Sequence, residues 1–376
     1  MNRKGIKSEL PDYKPNRLDW AWLWSEETPV SIYSDRTDWP KISIVTPSYN
    51  QGSYIEMTIL SVLLQNYPNI EFIIIDGGST DQTIDVIKKY EKWITYWVSE
   101  KDDGQSDAIN KGLDLSTGAI FNWLNSDDFL EKGALANIAR CFMDKKADIV
   151  AGQMRKFVEG YYKIDIGATQ PIQGPEYGLK WFGGQPSIFI RTEPFEIVGK
   201  LNKSLNYRMD MEWHMRYPFI FGVDNIHYIP QIISYSNLHN ECKTASQALG
   251  FNIEMNTILH AIATDLSLDD SLIISQADKI QRSTTYQNKI DIRIDMNREL
   301  MRQLIDEKIS PELKDPSTVY RNSAYNLLYQ GVVESSLGLA WRACKVNPFK
   351  LLNWRCFMYS VRENIKRKLQ KPHLDL

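Results

Sequence analysis

Short apolar runs alternate with amphipathic segments between residues 41 and 124, and this alternation constrains the fold more than any other feature of the chain. The apolar runs are rich in Ile, Val, Phe and Trp, which favour strands, whereas the segments between them repeat apolar residues at helical spacing. Strands that alternate with helices form parallel βαβ units, with helices on both faces of one sheet. The predicted strands are 42–45, 71–75, 95–99 and 120–124, and the predicted helices are 54–65, 83–92 and 107–115.

A polar turn follows each of these predicted strands. In sheets of parallel strands, ligands bind beyond the carboxyl ends of the strands. All the turns should therefore lie along one edge of the sheet, where they can form a single site. The turns are residues 46–50, 76–81, 100–104 and 125–128.

The last of these turns reads Asn-Ser-Asp-Asp and places Asp127 beside Asp128. Adjacent carboxylates repel each other, and a divalent cation such as Mg²⁺ would relieve the repulsion while taking oxygen ligands. Asp and Asn are also common in ordinary turns. Taken alone, the stretch leaves a metal site and a plain turn as alternatives.

Length, charge and cysteine usage limit the classes of protein to consider. The 376 residues can bury a large core and suggest two or three folded units. The net charge is -3, from 44 basic and 47 acidic residues, so no basic field favours nucleic acid as a partner. The four cysteines are far apart and form no CxxC pair, which argues against a disulfide framework or a zinc site.

The sequence leads us to expect a cytoplasmic protein. Residues 1–38 show no signal-peptide pattern, and no window approaches the roughly 18 consecutive apolar residues of a membrane helix. The basic residues at 362–371 would allow peripheral contact with the inner face of a membrane, although a solvated helix face is the favoured interpretation.

Four regions are predicted along the chain. Residues 1–40 would form an irregular N-terminal arm whose tryptophans pack on the main domain, and residues 41–240 the main α/β domain. Residues 241–310 have a helical pattern, and residues 318–376 read as a C-terminal helical hairpin interrupted at Asn347-Pro348.

Five patterns in order, between residues 41 and 239, resemble the family 2 glycosyltransferases, and most closely the bacterial enzymes that build surface polysaccharides. The resemblance implies a GT-A fold: a mixed, mostly parallel sheet flanked by helices, here with a C-terminal helical extension. It also implies an inverting, metal-dependent transfer of sugar from a nucleotide-diphosphate sugar to a hydroxyl of a saccharide or lipid-linked saccharide. The patterns are 46–50, 76–81, 100–112, 125–128 and 209–213.

The resemblance assigns nucleotide contacts to the first three patterns. Thr46, Pro47 and Tyr49 match the first nucleotide-binding turn, where Tyr49 would offer a ring face to the base. Asp76 would accept from the imide N–H of uracil or thymine, and Asp103 is a further candidate for a base contact. Gly77 and Ile109 depart from the pattern, since relatives often have Asp and Arg at these positions.

The resemblance assigns the metal to the fourth pattern. Asp127 would hold the ribose or the metal, Asp128 would be the surer metal ligand, and His239 would lie beside the metal or the diphosphate. Either Mg²⁺ or Mn²⁺ would serve. A structural role is the alternative for His239.

The fifth pattern would supply the general base. Asp210 aligns best with the acid that takes the proton of the acceptor hydroxyl, and Glu212 is the second candidate. Acidic residues are favourable at a helix N-terminus in any case, which is the structural alternative for both. Gln185 stands where relatives have an acceptor-side turn.

Two other functions remain open from the sequence: a nucleotidyltransferase, and a non-catalytic scaffold that binds sugar nucleotides. The first typically has a basic, Gly-rich loop after its first strand, and residues 46–50 contain no Arg or Lys. A processive synthase is disfavoured because neither a Gln-x-x-Arg-Trp motif nor a membrane helix is found. A dinucleotide-binding oxidoreductase is disfavoured because no GxGxxG follows the first strand.

Overall fold

A computed structural model describes residues 5–13, 26–158, 161–163, 183–239 and 242–243, together with a few isolated later positions. The chain divides into two compact units, Met1–Gln173 with Leu179–Ala248 and Gly174–Gly178 with Leu249–Leu376. The first unit contains every candidate site residue. The helices predicted for 241–310 and 318–376 lie almost entirely outside the described residues, so the C-terminal extension and its membrane contact stay predictions.

The described residues form a nine-stranded mixed sheet in the order β3-β2-β1-β4-β8-β6-β9-β5, with β7 paired to β6. The strands are β1 (Ile42–Ser48), β2 (Ile70–Asp76), β3 (Tyr96–Ser99), β4 (Ile120–Trp123), β5 (Phe129–Leu130), β6 (Ile149–Val158), β7 (Tyr161–Lys163), β8 (Ile188–Arg191) and β9 (Ile226–Leu238). The helices are α1 (Ile55–Leu63), α2 (Thr83–Tyr90), α3 (Gln105–Leu115), α4 (Ala134–Asp144), α5 (Pro194–Val198) and α6 (Met209–Phe221).

The first four strands of the chain are parallel, as predicted. β1 pairs in parallel with β2 and β4, and β2 pairs in parallel with β3. β8 is antiparallel to both β4 and β6, and β9 is parallel to β6. Hence β4, β6 and β9 all run in one direction, and their carboxyl ends share an edge. The predicted mixed, mostly parallel sheet is confirmed.

Helices pack on both faces of the sheet because successive side chains of a strand point to opposite sides. Ile42 and Ile44 of β1 belong to one buried cluster with residues of α1 and α4. Val45 faces the other way and packs against Gly112 of α3 so closely that no Cβ would fit there. Each fully buried Ile or Val contributes about 1.5 to 3 kcal/mol through apolar burial.

β1 continues three residues further than predicted, through Thr46, Pro47 and Ser48. A proline was expected to end the strand, because it has no N–H for the ladder. The carbonyl of Val45 accepts from Leu124 on the β4 side, whereas Ser48 accepts from the loop after β2. The nitrogen of Pro47 therefore faces the β4 side, where β4 has already ended. No ladder hydrogen bond is lost there, so the strand tolerates the proline.

Part of the N-terminal arm packs on the sheet domain as expected. Trp39 and Tyr33 are buried and lie edge-on to each other and to Tyr67, with ring centroids 5.2 to 6.0 Å apart. The Tyr33 hydroxyl donates to the Gln65 carbonyl at 2.8 Å. This cluster lies next to α1, and the Tyr67 hydroxyl donates to the Pro40 carbonyl, just before β1, at 2.7 Å.

Candidate active site

A two-residue strand brings distant polar residues together at the carboxyl edge of the sheet. β5 pairs antiparallel with β9, with Phe129 opposite Tyr235 and Leu130 opposite Ser234. Continuing this register backward places Asp127 and Asp128 beside the last residues of β9. The turn after β4 therefore meets the segment that ends at His239.

Asp127 and His239 are in direct contact. The Oδ2 atom of Asp127 lies 3.1 Å from Nε2 of His239. The His239 ring stacks on Tyr54 with centroids 4.1 Å apart, which fixes its orientation. The Asp127 side chain is 20% exposed and that of His239 only 2%, so the carboxylate is the accessible member of the pair.

Asp128 is buried, and the protein holds both of its carboxylate oxygens. Oδ1 accepts from the Asn237 N–H and Oδ2 from the side-chain amide of Asn125, each at 3.1 Å. The Thr58 hydroxyl donates to the backbone carbonyl of Asp128 at 2.7 Å. Burial, followed by the charge of Asp127, raises the pKa of Asp128 well above its usual range. The side chain is positioned to brace the turn.

Asn125 links Asp128 to the far side of the site. Its Oδ1 accepts from the Gln105 amide at 2.8 Å, and Gln105 Oε1 accepts from the Lys243 ammonium at 3.2 Å. Lys243 also donates to the Asn206 carbonyl at 3.3 Å. A continuous polar network thus joins the turn after β4, the start of α3 and the segment after β9.

Asp76 is fully buried, and its carboxylate accepts hydrogen bonds mainly from the turn that follows β2. Its carboxylate accepts from the backbone N–H groups of Gly78 and Ser79, from the Ser79 hydroxyl, and from the Ser99 hydroxyl, at 2.5 to 3.0 Å. Three of these donors reach Oδ2 and one reaches Oδ1, so both oxygens already accept hydrogen bonds from the protein. The structure thus places Asp76 beneath the turn surface.

The residues at the end of β1 differ in accessibility. Thr46 and Pro47 are buried inside the strand, and the Thr46 hydroxyl has no hydrogen-bond partner in the described part of the chain. Tyr49, the first residue after the strand, is 60% exposed. Of these three predicted nucleotide contacts, Tyr49 alone presents its side chain to solvent.

Asp103 projects from the loop before α3. Its side chain is 81% exposed and lies 3.5 Å from the Lys203 ammonium. Lys203 makes a shorter ion pair with Asp107 at 2.6 Å, and this hydrogen bond lowers the pKa of Asp107. Asp103 therefore lies on the outside of the loop, whereas Asp107 is buried.

Asp210 and Glu212 occupy different environments in the first turn of α6. Asp210 is partly exposed. Glu212 is buried and accepts from Nη2 of Arg216 at 3.1 Å. Burial raises the pKa of Glu212, although the positive charge of Arg216 lowers it. Asp210 is thus the more accessible of the two candidate bases.

Gln185 lies under the end of β4. It is only 5% exposed, and its amide donates to the Trp123 carbonyl at 2.5 Å. Its Oε1 accepts no hydrogen bond from the residues that the structure describes. A buried acceptor of this kind needs a partner, which a bound molecule would provide.

The chemistry of the Asp127–His239 pair fits a divalent cation. Adjacent ligands of an octahedral ion with bonds of about 2.1 Å lie about 3 Å apart, close to the observed separation. Within the described ranges, no three His, Cys, Asp or Glu side chains converge on one point. Such an ion would therefore have few protein ligands and would need oxygens from a substrate, as Mg²⁺ sites commonly do.

The comparison with known families matches this architecture. Residues 43–195 match the model of glycosyl transferase family 2. This part of the chain belongs to that family. The match runs from β1 to the start of α5 and includes the turn with Asp127, which confirms the predicted resemblance to the family 2 glycosyltransferases.

Individual relatives of the family 2 domain are also glycosyltransferases. An uncharacterised glycosyltransferase of Rickettsia felis is 24% identical over 77% of this chain and 49% of its own length. The putative teichuronic acid biosynthesis glycosyltransferase TuaG of Bacillus subtilis is 40% identical over 29% of this chain and 45% of its own length. The chain spans about half the length of these relatives.

A solved structure has the same fold as the family 2 domain. S. aureus TarS 1-349, in complex with UDP-GlcNAc, aligns with a TM-score of 0.52 and 16% identity. The alignment covers 89% of this chain and 94% of that one. At this identity the likeness concerns the fold.

Several residues of the family 2 site were not predicted from the sequence. Tyr54, Gln105 and Asn237 contact predicted residues, yet none stands in a distinctive motif. The one sequence signal for these residues was the position of Gln105, directly after Gly104 at the start of a helix. In the described part of the chain, no helix is both long and apolar enough to cross a membrane.

Proposed function

We propose that this protein transfers a sugar from a nucleotide-diphosphate sugar to an acceptor hydroxyl, with inversion and with the help of Mg²⁺ or Mn²⁺. The observation that carries the proposal is the contact between Asp127 and His239 at the carboxyl edge of a family 2 sheet. Open α/β sheets bind their ligands at this edge. The contact supports the proposal because a carboxylate oxygen and an imidazole nitrogen are side-chain atoms that could hold a divalent cation beside a diphosphate.

In this proposal Asp127 and His239 would hold the metal, and Asp128 braces the turn. From the sequence we expected Asp128 to be the surer ligand. Both oxygens of Asp128 already accept hydrogen bonds from the protein, whereas Asp127 is partly exposed. When bound, the metal would neutralise the negative charge that develops on the departing diphosphate.

Asp210 acts as the general base. Its carboxylate takes the proton of the acceptor hydroxyl while that oxygen forms a bond to the anomeric carbon of the donor sugar. The bond from the anomeric carbon to the diphosphate oxygen breaks at the same time, so the configuration inverts. Glu212 is less suited, because it is buried and paired with Arg216.

Relatives suggest the class of donor and product. TarS is described in complex with UDP and with UDP-GlcNAc, and TuaG is named for teichuronic acid biosynthesis. We therefore propose a uridine-diphosphate sugar as donor and a saccharide or lipid-linked saccharide as acceptor. The product would enter a cell-surface polysaccharide or glycolipid.

A panel of nucleotide sugars, read out by released nucleoside diphosphate, tests the proposal. We expect turnover with one class of donor, dependence on Mn²⁺ or Mg²⁺, and loss of turnover in Asp127→Asn. Asp144→Asn, which removes an exposed acid at the end of α4, is the matched control. Nucleotide binding without turnover on any acceptor would favour the scaffold, and pyrophosphate release from a nucleoside triphosphate would favour a nucleotidyltransferase.

A further inference from the structure

Gly77 leaves a space at the carboxyl edge of the sheet, and a neighbouring carboxylate fills it. Gly77 is buried directly after β2. A Cβ atom added to Gly77 would lie 2.8 Å from Oδ2 of Asp102 and 3.1 Å from its Cγ. The Asp102 carboxylate therefore occupies the position that a side chain at residue 77 would take.

The neighbouring acids are poor candidates for contact with a ligand. Asp76 is fully buried and accepts from four donors within the protein. Asp103 is exposed and turned toward Lys203. Asp102 lies between these extremes, since it is half-buried in the same loop.

Asp102 keeps one oxygen available. Its Oδ1 accepts from the Gly104 N–H at 2.9 Å, which is the one hydrogen bond to this carboxylate from the described part of the chain, so Oδ2 accepts none there. Burial raises the pKa of Asp102, although the hydrogen bond from the Gly104 N–H lowers it. An acceptor in such a partly dehydrated place binds a donor more strongly than one in water.

The location suits the base of a nucleotide. The loops after β1, β2 and β3 are joined: the Gly77 N–H donates to the Ser48 carbonyl, and the Glu100 N–H donates to the Asp76 carbonyl. Adjacent strands are about 4.8 Å apart, so the loops after β2 and β3 lie about 10 to 14 Å along the edge from the end of β4. An extended nucleoside diphosphate covers that span, with its phosphates toward Asp127.

We propose that Oδ2 of Asp102 accepts the imide N3–H of a uracil or thymine base and thereby selects the nucleotide of the donor. One free oxygen matches the single N–H of an imide. Guanine presents two adjacent donors and would need both oxygens of the carboxylate, one of which Gly104 already uses. The inference rests on the proposed sugar-nucleotide donor and moves the base contact from Asp76 to Asp102.

Calorimetry with UDP and N3-methyl-UDP, in the presence of Mn²⁺, tests this assignment. The methyl group removes the imide donor, so the wild type should bind UDP about 10- to 100-fold more tightly. Asp102→Asn keeps the acceptor for Gly104 but replaces the free oxygen, and the preference should fall to about 3-fold or less. Asp103→Asn is the matched control and should keep the full preference.

A second variant tests the same contact in case Asp102→Asn misfolds. Gly77→Ala leaves the charge in place but puts a methyl group where the Asp102 carboxylate lies, so it should also lose the preference. Equal binding of both nucleotides by the wild type, an unchanged preference in Asp102→Asn, tighter binding of GDP, or no binding of UDP would overturn the assignment. Normal discrimination without sugar turnover would count against the proposed function alone.

Discussion

Asp127 and His239 are 112 residues apart in sequence, yet Oδ2 of the first lies 3.1 Å from Nε2 of the second. The pairing of β5 with the end of β9 creates this contact, because it places the turn after β4 beside the last residues of β9. The Tyr54 ring then holds the imidazole in place. The proposed metal site thus depends on a strand of two residues.

Asp127→Asn should abolish the response to metal while the domain stays folded. The substitution removes the charged, accessible ligand but keeps its shape, so the thermal midpoint should change little. We expect a loss of at least about 100-fold in diphosphate release, measured across a Mn²⁺ titration. A variant that retained turnover at ordinary Mn²⁺ concentrations would remove Asp127 from the metal site.

Asp128→Asn should act mainly on stability. The new amide group would face the donor of Asn125 or of Asn237, so one hydrogen bond would be replaced by two opposed donors. We expect a loss of about 1 to 3 kcal/mol in the free energy of unfolding, measured by chemical denaturation. Asn125→Ala should reproduce part of this loss. Wild-type stability combined with lost metal binding would instead make Asp128 the ligand.

Asp210→Asn and Glu212→Gln should separate catalysis from folding. Asp210→Asn should lower kcat by about 10²- to 10⁴-fold and leave donor affinity unchanged, as expected for removal of a general base. Glu212→Gln leaves the buried Arg216 without its charged partner and should cost about 3 kcal/mol of stability. Steady-state kinetics and thermal unfolding of both variants test the assignment, and the reverse pattern would make Glu212 the base.

Glu71 should stabilise the fold in a pH-dependent way at the edge opposite the site. Burial would raise its pKa, but hydrogen bonds from Lys41, Ser43 and Thr117 outweigh that effect and lower it from 4.5 to about 2. A depressed carboxyl pKa stabilises the folded state above pH 4.5, and the benefit disappears as pH falls toward 2.

Glu71→Gln should therefore cost about 2 to 3 kcal/mol at pH 7, and the difference from wild type should shrink by about 1 kcal/mol at pH 3.5. Urea denaturation of the wild type and of Glu71→Gln at the two pH values measures this difference in stability. Asp144→Asn is the control and should show no such change. A difference that grew on acidification would contradict the assigned network.

The parallel half of the sheet was predictable because each apolar run was followed by a helical segment and a polar turn. The reversed directions of β8 and β5 were not. β5 has two residues, too few to show a period, and its partner lies about a hundred residues away. Local patterns indicate where strands occur, whereas long-range pairing determines their order.

The candidate site was predictable as a set of turns but not as a division of roles. Adjacent residues in sequence, such as Asp127 and Asp128, differ in the structure because one faces outward and the other is covered by Asn237 and Asn125. The same holds for Asp102 and Asp103, of which the partly exposed one packs on Gly77. Burial depends on tertiary packing, which motif spacing does not encode.

Calorimetric binding of UDP with and without Mn²⁺, for the wild type and for Asp127→Asn, tests the proposed metal site. A metal held by Asp127 and His239 would supply positive charge that strengthens binding of the diphosphate. The wild type should then bind UDP at least about tenfold more tightly with Mn²⁺ present, and Asp127→Asn should show no such gain. Equal affinity of the wild type with and without metal, or a full metal response in Asp127→Asn, would show that Asp127 and His239 hold no metal beside the nucleotide.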